Sequence, residues 1–393
     1  VKTVLFAWEL GAGSGHVTNI RRLASRLASR GLRVVAAVTS LASISALDGI
    51  VTEIHRMPNW RTPDDPDPQA GGIPSSATLN DILVSAGLAN AALVQETVAA
   101  WERLFRTINP ALVIADYAPA AALAARGRIP LMLTGNGYTL PPHEMPSFPL
   151  LHAFSAPVHR EEVTLAAINA AVRGLGLHPL ERLPQLFAGD AHIVHTLPLL
   201  DPYARFRATP VDGPLIDYVP RARNADAREV FVYISQGVEV RSDVIAALLP
   251  IAPHVRIHAP MLSEAAQSDL ARGGARIAPQ PIDLQKTLPD CRLVVHLGGN
   301  GLAAEALLTG VPQVVLVMHI EQHLTGMALE HAGAGRTFAA YDPAQTLPAN
   351  IFEQMLRDPA AARGAAEAGA RHRDGWAGGA AKAFEDTCAR LLR

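Results

Sequence analysis

Short apolar runs alternate along this chain with segments whose apolar residues recur at helical spacing. Lys2–Trp8 predicts a buried strand, His16–Arg30 carries Ile20, Leu23, Ala24 and Leu27 on one helical face, and Leu32–Thr39 predicts a second strand. A long helix is expected around Leu79–Phe105, then a strand at Ala111–Asp116, a short helix, and strands at Pro130–Thr134 and His192–Leu197. Apolar strands separated by helices belong to a parallel sheet covered on both faces. Between about Asp201 and Arg228 the rhythm fails, in a stretch holding Pro202, Pro210, Pro214 and Pro220. It restarts with strands at Val230–Ser235, Val255–His258, Ala275–Ala278, Arg292–Leu297 and Val314–Met318, and with helices from Ser242, Ser263, about Gly301 and Glu321.

The pattern predicts an α/β protein of two doubly wound parallel-sheet domains, residues 1–205 and 229–375, joined by a linker at 206–228. Residues 376–393 read as a terminal helix placed to pack back on the first domain. Two such domains face each other across a cleft, and ligands of open sheets bind beyond the carboxyl ends of the strands. Two Pro- and Gly-rich stretches, Pro58–Ser76 and Gly135–Val158, read as long functional loops after strands of the first domain.

Composition narrows the function. The 393 residues are 49% hydrophobic and 18% charged with net charge −2, which lacks the basic excess of a nucleic-acid binder. Cys291 and Cys388 are too few for a disulfide framework or a four-thiolate metal site and read as reduced thiols. The longest apolar stretch, Ala306–Ile320, is interrupted by Gly310, Pro312 and Gln313, so no membrane span is expected. The amino-terminal segment reads as a strand rather than a leader, and a cytoplasmic protein is the expectation.

Chemistry concentrates at strand ends. The first strand runs into Gly11-Ala12-Gly13-Ser14-Gly15-His16, whose spacing is not the dinucleotide fingerprint, and no acidic residue ends the second strand. In the second domain Val294-Val295-His296-Leu297 leads into Gly298-Gly299-Asn300-Gly301-Leu302 and a helix. Amides at such a helix start suit a diphosphate. Glu305, one turn further, can accept ribose hydroxyls, and Glu321-Gln322 at the next strand end can hold sugar hydroxyls. The segment His319-Ile320-Glu321-Gln322-His323 lacks the spacing of a helical zinc-protease motif, so no metal is expected.

These residues, in the order Leu-Gly-Gly-Asn-Gly-Leu-Ala-Ala-Glu-Ala…Gly-Val-Pro…Glu-Gln, resemble the donor signature of the family 1 glycosyltransferases. Gly13-Ser14-Gly15-His16…Leu23-Ala24-Ser25-Arg26-Leu27 and the strand-end Asp116 extend the resemblance to the first domain. It implies the GT-B fold, two Rossmann-like domains of which the first binds acceptor and the second a nucleotide-sugar donor. The implied enzyme is an inverting, metal-independent hexosyltransferase with no cofactor beyond its nucleotide-sugar co-substrate. By the resemblance His16 is the catalytic base and Asp116 its partner. Gly237, Gly298, Gly299, Asn300, Gly301, Leu302, Glu305, Glu321 and Gln322 contact the donor. An imidazole tuned near neutrality suits removal of the acceptor's hydroxyl proton, and a carboxylate on its other nitrogen fixes the tautomer. Glu305 bridging two ribose hydroxyls favours UDP over dTDP. Trp60, Tyr138 and Phe148, in the loops of the first domain, are expected at a small hydrophobic acceptor.

The chain departs from the family where it matters. The histidine that usually precedes the Gly-Gly pair is Leu297, the usual Thr or Ser is Leu302, and the usual Asp is Glu321. His296 lies one residue early and faces the opposite side of an extended strand. Two other readings therefore stay open on the sequence: a glycosyltransferase-like protein that only binds a ligand or partner, and a nucleotide-sugar epimerase. No repeat or coiled-coil pattern points to an oligomeric state.

Overall fold

The computed structural model describes residues 1–11, 15–40, 44–60, 76–234, 238–342, 344–374 and 379–393. Gly237, and most of the Pro58–Ser76 loop, lie outside them. The chain forms two compact units, Val1–Leu215 with Gly379–Arg393, and Ile216–Gly378.

The first unit holds strands β1 (Thr3–Trp8), β2 (Arg33–Val38), β3 (Glu53–Arg56), β4 (Leu112–Asp116), β5 (Leu131–Gly135) and β6 (Ala191–Val194). Its helices are α1 (Gly15–Ala28), α2 (Leu79–Ser85), α3 (Ala91–Ile108), α4 (Pro119–Ala125) and α5 (Glu161–Gly174). The second unit holds β7 (Glu229–Tyr233), β8 (Val255–His258), β9 (Arg276–Ile277), β10 (Cys291–His296), β11 (Gln313–Val317) and β12 (Gly335–Ala339). With them run α6 (Ser242–Leu248), α7 (Glu264–Arg272), α8 (Leu284–Thr287), α9 (Asn300–Thr309), α10 (Ile320–His331), α11 (Ile351–Arg357) and α12 (Pro359–Arg373). The last helix, α13 (Gly379–Leu391), belongs to the first unit.

Both sheets are six-stranded and share one plan, β3-β2-β1-β4-β5-β6 and β12-β11-β10-β7-β8-β9. Every recorded pairing is parallel. The strand order reverses between β1 and β4 in one sheet and between β7 and β10 in the other, and at such a switch point the following loops turn to opposite faces and leave a crevice. β1 and β4 are buried at every position, as strands covered on both faces must be. In the first core Phe6, Ile20, Leu23 and Leu27 from β1 and α1 meet Ala380, Ala381, Phe384 and Cys388 from α13.

The expected helix at Leu79–Phe105 is two helices. Gly87, at φ +103°, ends the first path, and Asn90 opens α3 by accepting from the amides of Ala92 (3.1 Å) and Leu93 (3.2 Å). Gly87 also has no room for a side chain, since a Cβ there would stand 2.9 Å from the Trp60 carbonyl oxygen. The segment read as a loop at Gly135–Val158 is tied down by buried Asp81 of α2, which accepts from the amides of Val158 (3.0 Å) and His159 (2.9 Å). Neither β3 nor β12 is expected from the sequence. Both lie at sheet edges, and β3 (Glu-Ile-His-Arg) is only partly buried, so neither carries an uninterrupted apolar run.

Candidate active site

At the switch point of the first sheet β1 and β4 pair with Trp8 opposite Asp116, and α1 begins beyond the end of β1. His16 lies in the first turn of α1, and its Nδ1 stands 3.1 Å from Asp116 Oδ1. Asp116 is 2% exposed and His16 13%, so the carboxylate is sealed while the ring keeps an opening. With Asp116 ionised, Nδ1 carries the hydrogen and donates it, which sets the tautomer in which Nε2 is unprotonated. The ring is stacked with Trp8 (centroids 5.2 Å apart) and with Tyr117 (6.4 Å), which fixes its plane.

Two backbone features serve this arrangement. Gly11 is at φ +89°, and a Cβ on it would stand 2.5 Å from His16 Nε2, so only glycine leaves the imidazole where it is. Tyr117 adopts φ +46°, rare for a bulky residue, and its carbonyl accepts the Leu10 amide at 3.0 Å. That bond ties the loop after β1 to the end of β4. Residues 12–14, in the middle of the glycine loop, lie outside the described residues.

Glu9, which follows β1, is not singled out by the sequence pattern. It is buried and accepts from the amides of Ala121 (2.7 Å) and Ala120 (3.1 Å) and from the Trp60 indole (2.7 Å). Burial raises its pKa to about 7, and those same donors work against the shift. Glu9 thereby fastens the loop after β1 to the start of α4 and to Trp60. An isolated acidic residue within a run of strand residues is the signal that could have marked it.

The three aromatics expected at the acceptor are buried. Trp60 is bonded to Glu9, Tyr138 is buried, and Phe148 meets the Phe187 ring edge-on at 6.1 Å. A narrow crevice lies beside Tyr117, Thr134, Thr139, Leu140, Leu186 and Phe187, at the carboxyl ends of β4 and β5.

In the second unit β10 ends at His296, and Gly298, at φ +93°, turns the chain into α9. A Cβ on Gly298 would stand 2.8 Å from Val315 Cγ1 and 3.0 Å from the Gln322 carbonyl oxygen, so conformation and space both require glycine. Gly299 is the N-cap and offers no side-chain cap. The first helical bond runs from the Ala303 amide to the Gly299 carbonyl (3.1 Å), and the amides ahead of it lack an intrahelical acceptor. Asn300 is buried, Leu297 is buried in the main core of this unit, and Leu302 packs on a smaller cluster around Val294 and Ala306.

Glu305 is buried on α9, where one of its carboxylate oxygens accepts the Tyr218 hydroxyl, a partner that the sequence does not suggest. Gln322, in the first turn of α10, accepts the Met318 amide through Oε1 at 2.7 Å and so braces its own loop. Glu321 also lies in that turn, after His319 as N-cap. Burial lowers the pKa of His319, opposed by neighbouring Glu321. Among the described residues no group of three or more His, Cys, Asp or Glu is placed to hold a metal ion, and no helix is long and apolar enough to cross a membrane. Cys291 and Cys388 are both buried free thiols.

His296 itself is buried with its Nδ1 accepting the Gly298 amide (3.1 Å) and its Nε2 2.8 Å from Gln313 Oε1. Burial pulls its pKa down to about 4, the Gln313 contact opposing. An unfolded imidazole titrates near 6.5. The depressed value means that the stabilisation is whole above pH about 6.5 and is lost as pH falls toward about 4, by roughly 3 kcal/mol. Denaturant unfolding at pH 7 and pH 4.5 should show a smaller acid loss in His296→Asn than in the parent. Equal losses would mean that the imidazole is not held neutral.

The architecture is that of the two-domain GT-B proteins. The calicheamicin glycosyltransferase CalG4 superposes with TM-score 0.68 at 20% identity, covering 100% of this chain and 98% of the other. The family 1 resemblance recurs at the level of sequence: residues 260–373 match the family described as Erythromycin biosynthesis protein CIII-like, C-terminal domain. Elloramycin glycosyltransferase ElmGT of Streptomyces olivaceus is 42% identical over 84 residues, 21% of this chain and 20% of that protein. TDP-daunosamine transferase DnrS of Streptomyces peucetius is 30% identical over 142 residues, 34% of this chain and 33% of that one. The aligned regions thus span a fifth to a third of these two curated relatives.

Proposed function

We propose that the protein transfers a sugar from a nucleotide-diphosphate donor to a hydroxyl of a small, hydrophobic acceptor, with inversion and without a metal. The observation that carries the reading is the Nδ1–Oδ1 contact of 3.1 Å between His16 and a sealed Asp116 at a sheet switch point. In that tautomer Nε2 is the nitrogen that takes the acceptor's proton as the hydroxyl oxygen attacks the anomeric carbon. Asp116 stabilises the imidazolium that forms. The bond from the anomeric carbon to the diphosphate oxygen breaks, and the charge on the leaving group falls to the amides and dipole at the start of α9. One base and one in-line displacement suffice, because the leaving group is already activated. The match of residues 260–373 supports the same reading, as does the glycosyltransferase activity named for the relatives.

The nucleotide is the finer choice. A preference for UDP rested on Glu305 bridging two ribose hydroxyls. The Tyr218 hydroxyl already occupies one of its oxygens, which makes that oxygen a weaker acceptor for another hydroxyl. DnrS is named for a TDP-sugar. We therefore take dTDP as at least the equal of UDP. Calorimetric titration should give a dTDP dissociation constant no weaker than that of UDP. Binding of UDP tenfold tighter would restore the two-hydroxyl account, and binding of neither nucleotide at millimolar concentration would remove the donor reading.

A further inference from the structure

Behind the glycine turn of the second unit runs a short relay of side chains that the donor reading does not use. The Gly298 amide donates to His296 Nδ1 at 3.1 Å, His296 Nε2 lies 2.8 Å from Gln313 Oε1, and Gln313 Nε2 donates to the Ala303 carbonyl at 3.1 Å. Donors and acceptors alternate in only one way. Nδ1 accepts, so the ring hydrogen sits on Nε2 and goes to the amide oxygen, and the amide nitrogen then faces a carbonyl in the first turns of α9. His296 is 1% exposed and Gln313 0%, so neither side chain reaches a ligand at the mouth of the turn.

We propose that His296 and Gln313 are positioning residues for the diphosphate-binding turn, an inference that rests on the donor reading above. They bind the turn from its inner side at two points, Gly298 before α9 and Ala303 within it. The left-handed Gly298 (φ +93°) and the helix start are thereby held in one geometry before any donor arrives. The Gly298 amide is committed to the imidazole, so the anion is left to the amides that open α9. This also gives Leu297 a physical account. Leu297 fills core, and the histidine one residue earlier acts through the backbone of the turn.

The test is calorimetric titration of the full chain with dTDP alone and UDP alone, together with amide hydrogen exchange at Gly298. His296→Leu leaves the Gly298 amide buried without an acceptor and should weaken nucleotide binding roughly tenfold to hundredfold, with fast exchange at that amide. His296→Asn, whose Oδ1 falls near the Nδ1 position, should stay within about threefold of the parent and keep the amide protected. A merely structural role would leave nucleotide affinity equal in these two variants, whatever the exchange at that amide. Should His296→Leu fail to fold, Gln313→Met removes the partner of Nε2 and should weaken binding about threefold to tenfold. A parent that binds neither nucleotide overturns the donor reading and this proposal with it. A parent that binds, beside a folded His296→Leu protein of equal affinity, overturns the proposal alone.

Discussion

His16→Ala is expected to lower sugar transfer by roughly 10²–10⁴-fold while leaving nucleotide affinity at the parent value. The size follows from the role. General-base removal of a hydroxyl proton is worth that range, and His16 is joined to Asp116 through Nδ1, which makes Nε2 the basic nitrogen. Asp116→Asn should cost a comparable factor, because an amide cannot stabilise the imidazolium and can bind the wrong tautomer. The two groups act as a unit, so the double variant should be little worse than either single one. Transfer rates with a donor panel decide the matter. Losses that multiply in the double variant would mean that the residues act separately, and a His16→Ala protein as active as the parent would remove the base altogether. The ring is only 13% exposed and its loss takes a partner from the sealed Asp116, so the unfolding midpoint should fall as well, and rates are compared well below it.

Much of this framework was legible in the sequence, for a reason visible in the burial. Central strands such as β1, β4 and β11 are buried at every position, and continuous apolar runs announce them. Two of the edge strands, Glu53–Arg56 and Gly335–Ala339, carry no such mark and escape a reading based on apolar runs, whereas the edges β6 and β9 do not. The break in the Leu79–Phe105 helix was written in Gly87 and Asn90, whose turn and cap chemistry apolar periodicity alone overrides.

Site residues followed a similar division. His16, Asp116 and the 298–302 turn stand out as candidates because ligands of open sheets bind beyond the strand ends. Their partners could not, because partnership crosses elements far apart in sequence: Glu9 with Trp60 and Ala121, Tyr218 with Glu305, His296 with Gln313. Trp60, Tyr138 and Phe148 illustrate the converse. An aromatic residue in a Pro- and Gly-rich stretch looks available to a ligand, yet each is buried, Trp60 on Glu9 and Phe148 on Phe187.

Phe384→Ala is expected to destabilise the protein by about 3–5 kcal/mol, the cost of removing a large, fully enclosed ring whose site cannot collapse. Phe384 is 0% exposed and its ring lies 6.5 Å from that of Phe6 on the first strand. Around it Ala380, Ala381 and Cys388 bring the last helix into the same core as Ile20, Leu23 and Leu27 of α1. Arg26 of α1 and Arg30, just beyond its end, both reach Glu385, but partly exposed ion pairs contribute little, so Glu385→Ala should cost under about 1 kcal/mol. Denaturant unfolding of both variants checks the contrast. A loss below about 1 kcal/mol for Phe384→Ala would make α13 a surface attachment rather than part of the core. The consequence reaches the chemistry, because α1 is also the helix that carries His16. Near the unfolding midpoint the Phe384→Ala protein should lose transfer activity as its first unit opens, whereas nucleotide binding, assigned to the other unit, should follow that unit's own transition.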